Sequence, residues 1–261
     1  VKPTRSYKHC RNYQTVSIYY TAEEIGLFKA LLSDSVFFED TIYTTEKLKK
    51  ISFSLNKAPD ILELEISSLK SPLIYGISLE GRKGVLVDNI PLRGASGTEF
   101  ARISYSSLSQ MYNLLSPDMF ILEFGGNTIP YLKTTEKCIN YGKYFKKQIL
   151  KIKKQNPGAI VLVIGPADMA KKDKTSLVTY PNLERVIDEL KKAAFETNSC
   201  FWDTYLNMGG ENSIQEWTLE TPPLAARDYI HFTRAGARKI ADFFIEDLME
   251  DFEQYLLTKD E

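Results

Sequence analysis

The chain is poor in the residues that most often announce chemistry. It has two histidines and three cysteines in 261 residues. Two histidines and no Cys-x-x-C leave too few ligands at the usual spacing for a zinc site. Cysteines 10, 138 and 200 form an odd, widely spaced set, which argues against a disulfide framework. Cys138 and Cys200 lie in apolar, periodic surroundings and are expected as buried thiols. No apolar run reaches the roughly eighteen residues that a membrane-spanning helix needs. Charge of one sign is also lacking. The net charge is −1, so no bulk attraction to nucleic acid or to an acidic membrane is expected. No signal peptide is legible, but the chain opens at Val1 rather than methionine. That suggests a processed or truncated product, so the lack of a targeting segment says little about compartment.

What is present is an ordinary globular composition, 43% apolar and 26% charged, long enough for one large domain or two small ones. Residues 10–83 read as all-β. Alternating β-branched or aromatic runs at 15–20, 35–38, 50–55, 61–66 and 73–79 are separated by turn-forming stretches. Short strands at this spacing predict a sandwich or jelly roll. A helical stretch over 23–32 is expected to interrupt it.

Near Val85 the periodicity changes. Residues 85–87 and 120–124 are short apolar strands, 160–164 is a fully apolar one, and 200–202 is strand-like. Helical spacing covers 98–115, 134–154, 181–197 and a last helix from Thr233, whose hydroxyl suits an N-cap. Lys146, Lys147, Lys151, Lys153 and Lys154 read as the solvated face of one of these helices. Strand–helix alternation predicts a parallel sheet with right-handed crossovers. Ligands of such sheets bind beyond the carboxyl ends of the strands. The domains are therefore set at 1–84 and 85–261.

Candidate site residues gather at those strand ends. His231 is the residue suited to proton transfer near neutral pH, and Asp228, three positions before it, could orient its ring. His9 stands in a polar stretch with no obvious partner. Asn127 follows Gly125-Gly126, and its carboxamide can donate into a crevice; the same tripeptide also reads as a tight turn. Arg93-Gly94-Ala95-Ser96-Gly97 precedes a helix. Its backbone amides can hold an oxyanion, or it is simply a loop leading into that helix. Ser96 is a weak alternative as nucleophile, because a Gly-x-Ser-x-Gly elbow would require glycine where Thr98 stands. Asp168 follows Gly165-Pro166 and reads as a helix cap or a hydrogen-bonding partner for the loops, with a part in catalysis as the alternative.

In this order, the glycine loop, Gly-Gly-Asn after the next strand and Asp-x-x-His before the last helix resemble blocks II, III and V of the SGNH (GDSL-like) hydrolases. The segment Ile164-Gly165-Pro166-Ala167-Asp168-Met169 adds to the resemblance. So does the run from Trp202-Asp203 through Met208, Gly209, Gly210, Glu211, Trp217 and Pro222 to Asp228. These look like the branch related to peptidoglycan O-acetylesterases, in which a carbohydrate-binding β-sandwich is inserted between blocks I and II. The resemblance implies an SGNH-type, flavodoxin-like α/β domain with an N-terminal all-β insertion. It implies His231 as general base, Asp228 as its orienter, and Gly94 and Asn127 as oxyanion donors, with no metal or cofactor. The implied activity is removal of O-acyl, chiefly O-acetyl, groups from a carbohydrate or peptidoglycan, in the periplasm or at the cell surface. Block I, Gly-Asp-Ser, does not occur in the sequence. The nucleophile and the first strand–helix unit are therefore expected on an upstream segment. The alternative is a non-catalytic glycan-binding protein on the same scaffold.

Overall fold

The computed structural model describes residues 1–3 and 9–259. Residues 4–8 and 260–261, and the side chain of His9, lie outside that description. The chain divides into two compact units, Val1–Pro91 with Ser109–Ser116, and Leu92–Leu108 with Pro117–Glu261.

The first unit contains β1 (Thr15–Ala22), β2 (Gly26–Leu32), β3 (Ser35–Ile42), β4 (Thr45–Ser54), β5 (Glu63–Ser68) and β6 (Leu73–Glu80). They form two antiparallel sheets, in orders β4-β1-β6 and β3-β2-β5. Val16, Ile18 and Phe53 of one sheet and Phe28 and Ile42 of the other share one buried cluster. The expected helix over 23–32 is corrected: residues 26–32 are β2, paired on both sides. Its leucines and alanine favour helix, but tertiary pairing overrides that preference. Ser33 and Asp34, with φ of 48° and 65°, make the two-residue turn whose twist suits a hairpin.

In the second unit, the expected helix over 98–115 is two pieces. A 3-10 turn (Glu99–Arg102) is followed by extended Ile103 and then α1 (Tyr105–Leu115), whose second half is grouped with the first unit. Lys151 Nζ donates to the carbonyls of both Phe100 and Ile103 at 2.6 Å, supplying at the break the partners that a helix would have provided. Next come β7 (Met119–Glu123), α2 (Thr135–Gln155), β8 (Ile160–Ile164), β9 (Ala170–Asp173), β10 (Ser176–Thr179), α3 (Leu183–Phe195), β11 (Cys200–Trp202), α4 (Thr204–Met208), α5 (Ser213–Leu219) and α6 (Arg234–Lys259). The parallel sheet has order β11-β8-β7. The lysines of α2 are more than a solvated face. Besides Lys151, Lys153 donates to the carbonyls of Thr197 and Asn198, and Lys146 pairs with Glu196 at 2.9 Å. They bind α2 to the end of α3.

One face of this sheet, with Leu122, Val161 and Val163, is buried under α2 and α3. The other is covered over Leu162 and Trp202, and Trp202 bonds to Asp247 of α6. Met119, Ile121 and Ile160 on that same face are 39%, 48% and 51% exposed. Parallel sheets are normally covered on both sides. Among the described residues, β7 also has no strand on its outer edge.

Two expectations are corrected here. Residues 85–87 are not a strand: Val85, Leu86 and Val87 are exposed and join no ladder among the described residues. An apolar tripeptide becomes a strand only where a neighbour accepts its backbone hydrogen bonds. Cys138 is buried, but Cys200 is exposed, because it opens the edge strand β11. Among the described residues, no helix is long and apolar enough to cross a membrane.

Candidate active site

Parallel pairing of β7, β8 and β11 sends all three carboxyl ends to one edge of the sheet. Gly125-Gly126-Asn127 leaves β7 there, Gly165 to Asp168 leaves β8, and Asp203 leaves β11. Gly125 has φ +114° and faces Leu190 and Pro166, where a Cβ would crowd both. Its carbonyl accepts from Thr128 N–H at 2.8 Å and Thr128 Oγ1 at 2.7 Å. The turn is thereby fixed, and exposed Asn127 donates through Nδ2 to the Ala95 carbonyl at 3.0 Å. Asn127 and the Gly94–Gly97 loop are therefore in direct contact. Asp203 caps α4, accepting the Leu206 amide at 3.1 Å.

The second cluster is the turn before α6. Asp228 Oδ1 accepts the amides of Ile230 and His231, each at 3.0 Å, and Oδ2 meets His231 Nδ1 at 2.8 Å. Burial pushes the Asp228 carboxyl up. The His231 amide and ring and the Ile230 amide outweigh it and hold the carboxyl below its usual range. A carboxylate can only accept, so Nδ1 is the donor and Nε2 keeps a free lone pair. The imidazole side chain is 77% exposed. Tyr229, at φ 58°, gives its carbonyl to Ala170 N–H at 2.9 Å, which ties this turn to the chain leaving β8. Thr233 caps α6 as expected, accepting the Gly236 amide at 3.2 Å.

Asp168 is fully buried. It accepts from Thr179 Oγ1 at 2.9 Å, the Ile214 amide at 2.9 Å and Ser213 Oγ at 3.5 Å. It joins the segment after β8 to the end of β10 and the first turn of α5 rather than facing solvent. Ser96 Oγ bonds to Glu99 Oε1 at 2.8 Å and Thr98 Oγ1 at 2.7 Å, with no histidine among these partners.

No family model and no curated protein sequence matches this chain. Its fold is similar to that of a solved peptidoglycan O-acetylesterase. The TM-score is 0.66 at 19% identity, covering 92% of this chain and 65% of that one. The chain thus spans about two thirds of that structure's length. Two further structures match less well. An acetyl xylan esterase gives TM-score 0.40 at 20% identity, over 61% of this chain and 77% of that one. A family two carbohydrate esterase from Clostridium thermocellum gives TM-score 0.37 at 10% identity, over 93% of this chain and 90% of that one.

Two residues at the site escaped the sequence reading. Glu99 Oε1 accepts the Ser96 amide at 2.8 Å, and Tyr141 donates to the Ser96 carbonyl at 2.6 Å. Burial pushes the Glu99 carboxyl up, but the Ser96 amide and hydroxyl and the amides of Glu99 and Gly97 hold it below the usual range. Burial, with the Glu99 charge adding to it, raises the Tyr141 phenol well above its ordinary value, so it stays a donor. The Glu99 contact had a signal: Ser96-x-x-Glu99 is half of a capping box. Tyr141 lies 45 residues from Ser96 and had none.

Proposed function

We propose that this protein is a serine-type esterase that removes O-acyl, chiefly O-acetyl, groups from peptidoglycan or a related carbohydrate. The observation that carries the reading is the Asp228–His231 pair at 2.8 Å, with no partner on Nε2 among the described residues. The Tyr229 carbonyl ties its turn to Ala170, on the chain that follows β8, while the joined Asn127 and Gly94–Gly97 loops adjoin the carboxyl end of β7, the strand paired with β8. The nucleophilic serine belongs to a segment outside residues 1–261. The uncovered sheet face at Ile121 and Ile160 and the open edge of β7 suit the strand–helix unit that would carry it. The serine hydroxyl gives its proton to His231 Nε2 as its oxygen adds to the acyl carbon. The Gly94 amide, Asn127 Nδ2 and the serine's own amide receive the oxyanion. Collapse expels the sugar oxygen, which takes the proton back from His231. Water activated by the same ring then releases the acid. The two-sheet unit serves as a β-sandwich that holds the polymer. A periplasmic or cell-surface site accompanies such a substrate.

The test is acetate release from O-acetylated peptidoglycan and from a small acetyl ester, using the protein with its nucleophile-bearing segment. Wild type turns over both, and His231→Ala loses at least about a thousandfold. No turnover by wild type would overturn the reading in favour of a glycan-binding protein, and an unchanged rate in the variant would remove His231 from the mechanism.

A further inference from the structure

Within the Gly94–Gly97 loop, both main-chain polar groups of Ala95 and of Ser96 are committed. Ala95 N–H donates to Leu92 O at 3.0 Å, and the Ala95 carbonyl is taken by Asn127. The Ser96 amide is taken by Glu99 and the Ser96 carbonyl by Tyr141. Gly97, at φ +79°, is pressed so closely onto the core that a Cβ would lie 2.6 Å from Phe124 and 2.8 Å from Phe145. Tyr141 stands on α2 beside Gly142, which packs so closely on α3 that a Cβ would lie 2.8 Å from the Glu189 Cβ. The Gly94 N–H has no hydrogen-bond partner among the described residues, and Gly94 is exposed at φ +76°.

We infer that Glu99 and Tyr141 are positioning residues for acyl transfer. Together they clamp both sides of Ser96, so that the Gly94 amide is the donor the loop leaves for an oxyanion. The inference rests on the esterase reading and adds the two groups that aim one of its donors. A preorganised donor is effective because it needs no reorientation during reaction, and a misplacement of about 1 Å can cost about a hundredfold.

The experiment uses the protein with its nucleophile-bearing segment and the variants Glu99→Ala, Glu99→Gln and Tyr141→Phe. On a small acetyl ester, Glu99→Ala and Tyr141→Phe should lower kcat at least about tenfold with KM within about twofold. Glu99→Gln keeps an acceptor for the Ser96 amide and should recover most of the loss. Amide hydrogen exchange reads the clamp without turnover: Ser96 N–H should exchange at least about tenfold faster in Glu99→Ala and stay protected in Glu99→Gln. Unchanged exchange in Glu99→Ala overturns the clamp. Faster exchange with unchanged kcat, or a loss confined to KM, overturns the positioning role. If wild type hydrolyses no ester, the esterase reading and the catalytic role fall together, while the exchange rates still decide whether the clamp exists.

Discussion

The carbonyl oxygen of Leu224 lies 1.9 Å from where a Cβ on Gly236 would stand, and the same oxygen accepts the Thr233 amide at 2.9 Å. The first turn of α6 is thus seated directly on the backbone beside the Asp228–His231 turn. No side chain fits between them. Gly236→Ala should therefore push α6 away. Overpacking of this kind costs up to about 3 kcal/mol, against about 1 kcal/mol regained in helix propensity. A thermal melt should show a midpoint lower by about 5 °C. Gly158→Ala is the control, since nothing lies within 4 Å of its Cβ position. Equal melting of the two variants would contradict the close seating.

The Glu99 carboxyl lies below its ordinary value of 4.5 in the folded chain. A lowered acid is deprotonated first in the folded state, so the unfolded state binds more protons in that range and stability rises with pH. The contribution is fully present above 4.5 and lost as pH falls through the lowered value. Urea titrations at pH 7 and pH 3 should show wild type losing more stability than Glu99→Gln. Parallel losses would mean that Ser96 gives the carboxylate no preference over the acid.

These relationships differ in how far the sequence could reveal them. The apolar strand at 160–164 and the cap at Thr233 were legible because period and local hydrogen bonding lie within a few residues. The Asp228–His231 contact was legible for the same reason, being separated by three positions. Residues 26–32 were not, because their strand character comes from pairing with residues 35–42 and 63–68. The hairpin of β9 and β10 was missed as well. Its lysine-rich first strand has no apolar alternation, and its turn depends on Lys174 at φ 53°. Lys153 looked like solvated charge because the carbonyls it binds lie 44 and 45 residues away.

Asp168 is where a strand-end carboxylate is structural. Its two oxygens serve a hydroxyl and a buried main-chain amide at 2.9 Å each. Asp168→Ala leaves the Ile214 amide unsatisfied and should cost about 2–4 kcal/mol. Asp168→Asn keeps one acceptor and should cost less. Chemical denaturation reads both. A loss under about 1 kcal/mol in the alanine variant would mean that water replaces the carboxylate.

Asn127 has two amide hydrogens, and the Ala95 carbonyl takes one. The other is the one that the proposed esterase gives to an oxyanion. Asn127→Ala removes both the hook and the donor, so kcat should fall about 10²–10³-fold in the protein with its nucleophile-bearing segment. A change in KM alone would make Asn127 a substrate-binding residue instead.

Asp228 and His231 allow the sharpest substitution. In Asp228→Asn the side-chain oxygen can still accept the amides of Ile230 and His231, so the turn should survive. The new amide group would then face Nδ1 as a donor, and Nδ1 must accept. That places the ring proton on Nε2, the nitrogen that in the proposed esterase receives the proton of the serine. The variant should keep its melting temperature and lose about 10³–10⁴-fold in kcat, through tautomer rather than structure. Asp228→Ala should lose activity and also loosen the turn, seen as faster amide exchange at Ile230 and His231. If Asp228→Asn retains more than about a tenth of wild-type turnover, the carboxylate does not set the ring's tautomer, and its part is confined to holding the turn.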